Sequence, residues 1–297
     1  MNKEGIIILE SIVSFAFVSV NKCLKLMKIS AIIPVYNEEH RIRYTMQSLQ
    51  WCDEIIVVDK TSTDKTVEIC KSYGAKVFVM PNSSTFDIKE CDYLKECTGD
   101  WIINMTASDI IDKSLAMEIR RQIEMLPDEV GCIKVPIKNY ILGIEDERSP
   151  WHCSSGMKVF RKGNYSVNKS VHGALSLKNQ NSYSIPEKYG YLSHLTHVSL
   201  DMLLDRHTRY WHGEAEMYNN KSLIPAFMEF WKAVKETMRR RKTFLLGWDG
   251  VALTFAYVSY YMFSFLYIWE RRRKNCAADV YKKLREHNCE DWKDFKK

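Results

Sequence analysis

Four short apolar runs rich in β-branched residues recur at 29–35, 54–59, 75–80 and 101–105, and helix-patterned segments at 41–49, 63–73 and 86–97 separate them. That alternation constrains the fold more than any other feature of the chain. A continuous apolar run of strand length is buried on both faces, and strand–helix–strand units of this spacing build a parallel sheet with helices on both sides. The expected class is α/β. In such sheets ligands bind beyond the carboxyl ends of the strands. Three of the four ends carry polar residues there: Asn37 and Glu38, Asp59, and the stretch from Thr106 to Asp109.

After Asp109 the alternation weakens. The pattern predicts a helix over 112–125, strands over 131–140 and 157–161, and a helix over 200–219; 143–156 reads as a loop mixing acids with Trp151 and His152. A further helix over 228–242 ends in Arg239, Arg240, Arg241 and Lys242, residues 247–250 break it, and 251–269 carry no charge before Glu270 and the basic run Arg271 to Lys274. That uncharged stretch is just long enough to cross a bilayer. Both flanks are basic, however, so a spanning helix would put one cluster where positive charge is scarce, and its tyrosines, tryptophans and hydroxyls suit the headgroup boundary. The expectation is two helices lying in or dipping into the cytoplasmic leaflet, with the basic clusters on anionic lipid. The 297 residues carry 43 Lys and Arg against 37 Asp and Glu, a net charge of +6. That excess is read as a membrane footprint, because the sheet region lacks the basic and stacking residues of a nucleic-acid groove. Nine cysteines without a CxxC pair indicate a reduced, cytosol-facing chain. Residues 5–20 are apolar apart from Glu10 and a few serines, which fits a surface anchor or an extension upstream of Met27. The expected division is 1–27, 28–220 and 221–297.

The chemistry concentrates in the first half. A strand that ends through Pro34 and then presents Tyr36, Asn37 and Glu38 can floor a base and accept hydrogen bonds from ribose hydroxyls. The next strand closes on Asp59, followed by Lys60-Thr61-Ser62-Thr63-Asp64-Lys65-Thr66. Together these stretches resemble the nucleotide-sugar half of the family 2 glycosyltransferases. The resemblance implies a GT-A-type, mostly parallel sheet flanked by helices, with a membrane-associated helical appendage after it. It also implies a nucleotide-diphospho-sugar donor, a UDP-sugar, over Pro34, Tyr36, Asn37, Glu38 and Asp59, with Asp64 fixing the loop. It continues in Gly99-Asp100-Trp101, after which the family places Asp-x-Asp to hold Mg²⁺ or Mn²⁺ against the donor diphosphate. Here Thr106-Ala107-Ser108 stand in its place. Ser108 stays on the donor side, and three readings are open. Asp109 reaches the ion, with Asp112 assisting; Lys or Arg residues neutralise the diphosphate without metal; or the site is catalytically dead.

An inverting transfer also needs a base to deprotonate the acceptor hydroxyl. In the lipopolysaccharide-core-type subfamily that the chain resembles, a His-Glu pair follows a strand ending in Phe-Arg. Phe160-Arg161 fits that end, and Val171-His172-Gly173 fits the pair only in His172. His172 and the loop acids Glu145, Asp146 and Glu147 are the candidate bases. His194, His197, His207 and His212 lack zinc-site spacing. Arg206, Arg209 and Tyr210 follow them where a phosphate on donor or lipid could be met. The stretch 244–250 resembles the break between two membrane-associated helices in the same subfamily. The function implied is inverting sugar transfer to a lipid-linked or membrane-proximal glycan, in cell-surface polysaccharide or lipooligosaccharide synthesis on the cytoplasmic face. The rivals are a non-catalytic nucleotide-sugar-binding assembly protein and a transferase to polyprenyl phosphate. Oligomeric state is left open.

Overall fold

The computed structural model describes residues 26–81, 91–167, 175–273 and 276–290; the apolar segment 5–20 and His172 lie outside them. Strands β1 (Ile29–Val35), β2 (Glu54–Asp59), β3 (Lys76–Val79) and β4 (Trp101–Asn104) form a parallel sheet in the order β3-β2-β1-β4, with helices α1 (Ile42–Ser48) and α2 (Thr66–Ser72) in the crossovers. The alternation in the sequence produces this half. Ile29, Ala31, Ile33 and Val35 pack into the larger core on one face of β1, and Ile32 packs with Ile56, Val58 and Ile102 on the other. Burial on both faces is why these strands read as continuous apolar runs. The helix expected over 86–97 is, in its described part, a 3₁₀ turn at Cys91–Glu96.

The sheet continues through β7 (Ser155–Arg161), β6 (Cys132–Ile141), β11 (Leu192–Thr196) and β5 (Asp109–Ile111), with β10 (Ser182–Ser184) on β6. Strands β8 (Ser166–Val167) and β9 (Leu175–Ser176) pair separately. Five neighbouring pairs in the main sheet are parallel and three antiparallel, so it is mostly parallel, as expected. The antiparallel pairs matter for the site. Because β7 runs against β4 and β6 against β7, the amino end of β7 and the carboxyl ends of β6 and β11 share the edge where β1, β2 and β4 end. Helix α3 (Lys113–Met125) covers the larger core with Leu115, Ile119 and Ile123.

Helix α4 (Leu200–Met217), capped by the Ser199 hydroxyl, leads to α5 (Ile224–Lys235), a π turn at Glu236–Arg240, a 3₁₀ turn at Thr243–Leu246, α6 (Trp248–Arg272) and α7 (Ala277–Glu290). The break expected at 247–250 sits earlier. Lys242 and Gly247, both at positive φ, bracket the 3₁₀ turn, and Trp248 already opens α6. Helix α6 is long and apolar enough to cross a membrane by length and composition, and little of it is buried. It packs on α4 and α5. Trp211 donates to the Tyr260 carbonyl at 2.9 Å, and the Tyr260 hydroxyl donates to Glu214. Ile224, Phe227, Met228, Trp231, Leu245, Trp248, Phe255 and Phe263 remain exposed on these helices and turns.

Candidate active site

The turn after β1 and the loop after β2 are sewn into one unit. The Asn37 N–H donates to Ser62 Oγ at 2.9 Å, and Asn37 Oδ1 accepts from the Thr63 N–H at 2.8 Å. The Glu38 N–H donates to Thr66 Oγ1 (2.7 Å), that of Glu39 to Asp64 Oδ2 (3.0 Å), and that of Lys65 to Glu39 Oε2 (3.0 Å). Asn37 reaches this pairing at a φ of 53°, a left-handed conformation that Asn tolerates; Thr61 holds a φ of 64°, which strains a β-branched residue. Burial opposes the charge on Asp64, but the Thr66 hydroxyl and the Glu39 and Thr66 amides more than offset it and hold the carboxyl below its usual range. Asp59 is buried, with both oxygens accepting from the Ser62 N–H at 3.2 Å. Pro34 points toward β4 just past the last β1–β4 pair, Ile32 with Asn104, so its missing N–H breaks no ladder bond. Tyr36 is half-buried beyond it. The structure thus brings Pro34, Tyr36, Asn37, Glu38, Asp59 and Asp64, the residues expected on the donor side, together, with Asp59 and Asp64 bonded into the loop.

Arginines surround Glu38. Arg41 engages both carboxylate oxygens, through Nη2 at 2.8 Å and through a shorter Nε contact, and also reaches the Leu195 carbonyl at 3.4 Å. Arg206 Nη2 lies 3.7 Å from the same carboxylate, and the Arg209 guanidinium lies 5.9 Å from the centre of the Tyr36 ring. His197 and His207 pack edge to face nearby. Burial first, then the charge of Arg206, pushes them down to about 3 and about 4, so both are neutral at pH 7.

At the end of β4 the structure shows what surrounds Asp109, the residue expected to reach the metal. Asp109 is completely buried. Its Oδ2 accepts from the Thr106 N–H at 2.8 Å and lies 3.3 Å from Lys158 Nζ; its Oδ1 lies 2.6 Å from His194 Nδ1. Burial works against this carboxylate's charge, but Lys158, His194 and the Thr106 amide outweigh it and hold the pKa down at about 2. Lys158 owes its placement to a bulge: Ile133 pairs with Val159 and Lys134 with Met157, so Lys158 is the extra residue, re-aimed toward the site. A hard divalent cation wants several open oxygens. Here both Asp109 oxygens are engaged, an ammonium stands beside one of them, and Thr106-Ala107-Ser108 add no carboxylate. Asp112 accepts from the Tyr191 N–H at the start of α3. Among the described residues no three His, Cys, Asp or Glu gather for a metal. The residues present do not fit the ion. Ser108 is buried, its carbonyl accepting from the Leu195 N–H at 2.8 Å.

Of the expected bases, His172 is outside the described residues. Asp146 is engaged by Arg148 through two side-chain bonds at 2.9 and 3.0 Å, which lower its proton affinity and make it a poor acceptor. Glu145 and Glu147 flank it, and the Glu147 carbonyl accepts from Arg241 at 2.7 Å. Sequence reasoning missed Lys158 and Arg41, and it missed the partner of His194. A bulge has no residue signature, and the β5–β11 pairing that sets His194 opposite Asp109 joins residues 85 apart in the chain.

Residues 30–169 match the family model described as glycosyl transferase family 2. The chain is 27% identical over 277 residues to an uncharacterized glycosyltransferase of Rickettsia typhi, an alignment covering 86% of this chain and 92% of that one. It is 27% identical over 152 residues to the lipopolysaccharide core biosynthesis glycosyltransferase LpsC of Rhizobium meliloti, covering 49% and 56% of the two chains. Among solved structures, S. aureus TarS 1–349 in complex with UDP-GlcNAc aligns with 87% of this chain and 92% of its own, at 16% identity and a TM-score of 0.45. The family match falls on the sheet whose turns are described above, and the chain is a glycosyltransferase whose residues 30–169 match family 2.

Proposed function

We propose that the chain transfers a sugar, with inversion, from a UDP-sugar to a lipid-linked or membrane-proximal glycan in cell-surface polysaccharide or lipooligosaccharide synthesis, working on the cytoplasmic face of the membrane. The observation that carries the reading is the pair of turns closed on each other by hydrogen bonds from Asn37, Glu38 and Glu39 to Ser62, Thr66 and Asp64. That unit sits beyond the carboxyl ends of β1 and β2, where an α/β sheet binds its ligand. Asp109 supports His194 as the base: an Nδ1–H bonded to the buried carboxylate leaves Nε2 as the proton acceptor, and the ring is partly open to solvent. The domain of residues 28–220 holds donor and acceptor in this reading, and residues 221–297 meet the membrane.

Radiolabelled UDP-sugars incubated with the protein and a membrane lipid extract are expected to deliver label to the lipid phase, with the signal lost in His194→Ala. The class of product then separates a glycan acceptor from polyprenyl phosphate. Absence of both transfer and hydrolysis across a panel of UDP-, GDP- and CMP-sugars would refute the reading.

The membrane contact is tested apart from the chemistry. Trp248 and Phe255 are 87% and 72% exposed beside the basic run at 239–242. Burying such rings at a headgroup boundary contributes on the order of 1–3 kcal/mol each. Trp248→Glu with Phe255→Glu is therefore expected to cut co-sedimentation with phosphatidylglycerol vesicles about tenfold or more while leaving nucleotide binding intact. Unchanged sedimentation would refute lipid contact through α6.

A further inference from the structure

One carboxylate serves two guanidiniums at the mouth of the site. Glu38 gives both oxygens to Arg41, and Arg206 is left 3.7 Å away from it with a side chain only 22% exposed. Burial disfavours the charge on Arg206 most; Tyr210 and Glu38 favour it, and the nearby Arg41 and Arg209 repel it. Arg209 has its own counterion in Asp205 at 3.1 Å. The two imidazoles beside Arg206 are neutral, and the buried Nδ1 atoms of His197 and His207 have no hydrogen-bond partner among the described residues. A buried cation normally has an anion of its own. The position of this one is informative, because Arg41 and Arg206 both close on Glu38, and Arg41 also reaches the Leu195 carbonyl on the strand carrying His194. A guanidinium fork matches phosphate oxygens in a way that an ammonium does not. The residues at the end of β4 offer no competing site for a divalent ion.

We infer that Arg206, together with Arg41, holds the diphosphate of the donor and offsets its charge without a divalent metal. The inference rests on the donor reading above. As the acceptor oxygen bonds to the anomeric carbon, the bond from that carbon to the diphosphate oxygen breaks. The electron pair leaves with the diphosphate, and the acceptor proton goes to His194. The charge that grows on the departing diphosphate meets guanidiniums already in place.

Calorimetry with UDP and with uridine, in EDTA and in Mn²⁺, tests this on the native chain and on Arg206→Met and Arg206→Lys. UDP is expected to bind in EDTA within about threefold of its affinity in Mn²⁺. Arg206→Met is expected to weaken UDP about tenfold or more while leaving uridine within about twofold, and Arg206→Lys to fall between, as charge-assisted hydrogen bonds predict. UDP binding that requires Mn²⁺, or that Arg206→Met leaves unchanged, overturns the inference and leaves the donor reading standing. If neither uridine nor any of UDP, GDP, CDP and dTDP binds, the donor reading itself fails. The EDTA comparison needs no variant, so poor folding of Arg206→Met does not shield the claim.

Discussion

Asp109→Asn is expected to lower turnover about a hundredfold or more and to cost about 3 kcal/mol of stability. The carboxylate is wholly buried and serves Lys158, His194 and the Thr106 amide at once. An amide in its place has one oxygen for three donors and turns its own N–H₂ toward one of them. Removing one partner from a buried ion pair costs about 3–5 kcal/mol, and the partial exposure of Lys158 and His194 places this case at the lower end. Catalysis suffers separately, because Asn no longer selects the Nδ1–H tautomer, and the loss of a positioned base costs about 10²–10⁴-fold. Urea unfolding at pH 7 reads the first effect, and single-turnover transfer at saturating donor reads the second. The pH dependence gives a third handle. The folded pKa of Asp109, about 2, lies below its ordinary value of 3.8, so its contribution is complete above about pH 5 and fades as the pH falls toward 2. The stability gap between native protein and Asp109→Asn should therefore hold steady from pH 7 to about pH 5 and narrow by about 2 kcal/mol below pH 4. Glu54 titrates in the same window, held at about 2 by Lys76, Ser30 and Thr98 against its burial, and it is common to both proteins. A gap that widens on acidification would show that Asp109 is not ionised in the fold, and unchanged turnover would remove His194 as the base.

The donor half was legible because its determinants are local. Each strand of the first half is set by its own apolar run, and each turn by polar residues within a few positions of a strand end, so the placement of Asn37, Glu38, Asp59 and Asp64 at one edge of the sheet was readable from the sequence. The hydrogen bonds that join them span about 25 residues, and one βα unit brings those ends together. The far side of the site depends on pairings that no local pattern records. Lys158 reaches Asp109 because of a bulge, and His194 because β11 returns to lie between β6 and β5. The surroundings of Asp109 were hidden for the same reason: the residue was visible, but Lys158 and His194 beside it were not. Arg206 stood out as a basic residue on a helix, yet only packing shows that it shares its counterion. The appendage was readable as apolar and basic, whereas its break was misplaced, because Trp248-Asp249-Gly250 reads as a turn until Gly250 is seen inside α6 against Thr243.

That contact makes Gly250→Ala the most disruptive small change in the appendage. A Cβ at Gly250 would lie 1.9 Å from the Thr243 carbonyl oxygen, 2.8 Å from its carbonyl carbon and 2.9 Å from the Leu246 Cβ. These are backbone and near-backbone atoms with no rotamer to give, so α6 must move away from the 3₁₀ turn. Alanine favours a helix over glycine by about 1 kcal/mol, but overpacking costs about 1–3 kcal/mol even where side chains can yield. The clash wins, and a net loss of about 2 kcal/mol is expected in thermal unfolding. The consequence extends beyond α6, because the Thr243 hydroxyl donates to the Arg148 carbonyl at 2.7 Å and Arg241 to the Glu147 carbonyl at 2.7 Å. The 3₁₀ turn thus ties α6 to the acid-bearing loop beyond β6. Shifting one should shift the other, so Gly250→Ala should slow transfer to a lipid acceptor several-fold more than it weakens UDP, whose turns lie elsewhere on the edge. Gly247→Ala is the control. Its φ of +67° and ψ of −141° lie in a region nearly restricted to glycine, but nothing lies within 4 Å of its Cβ position, so it should cost about 1–3 kcal/mol of backbone strain without pushing α6 off the turn. If Gly247→Ala slows lipid transfer as selectively as Gly250→Ala, or if Gly250→Ala weakens UDP and lipid transfer equally, the 3₁₀ turn does not couple α6 to the loop.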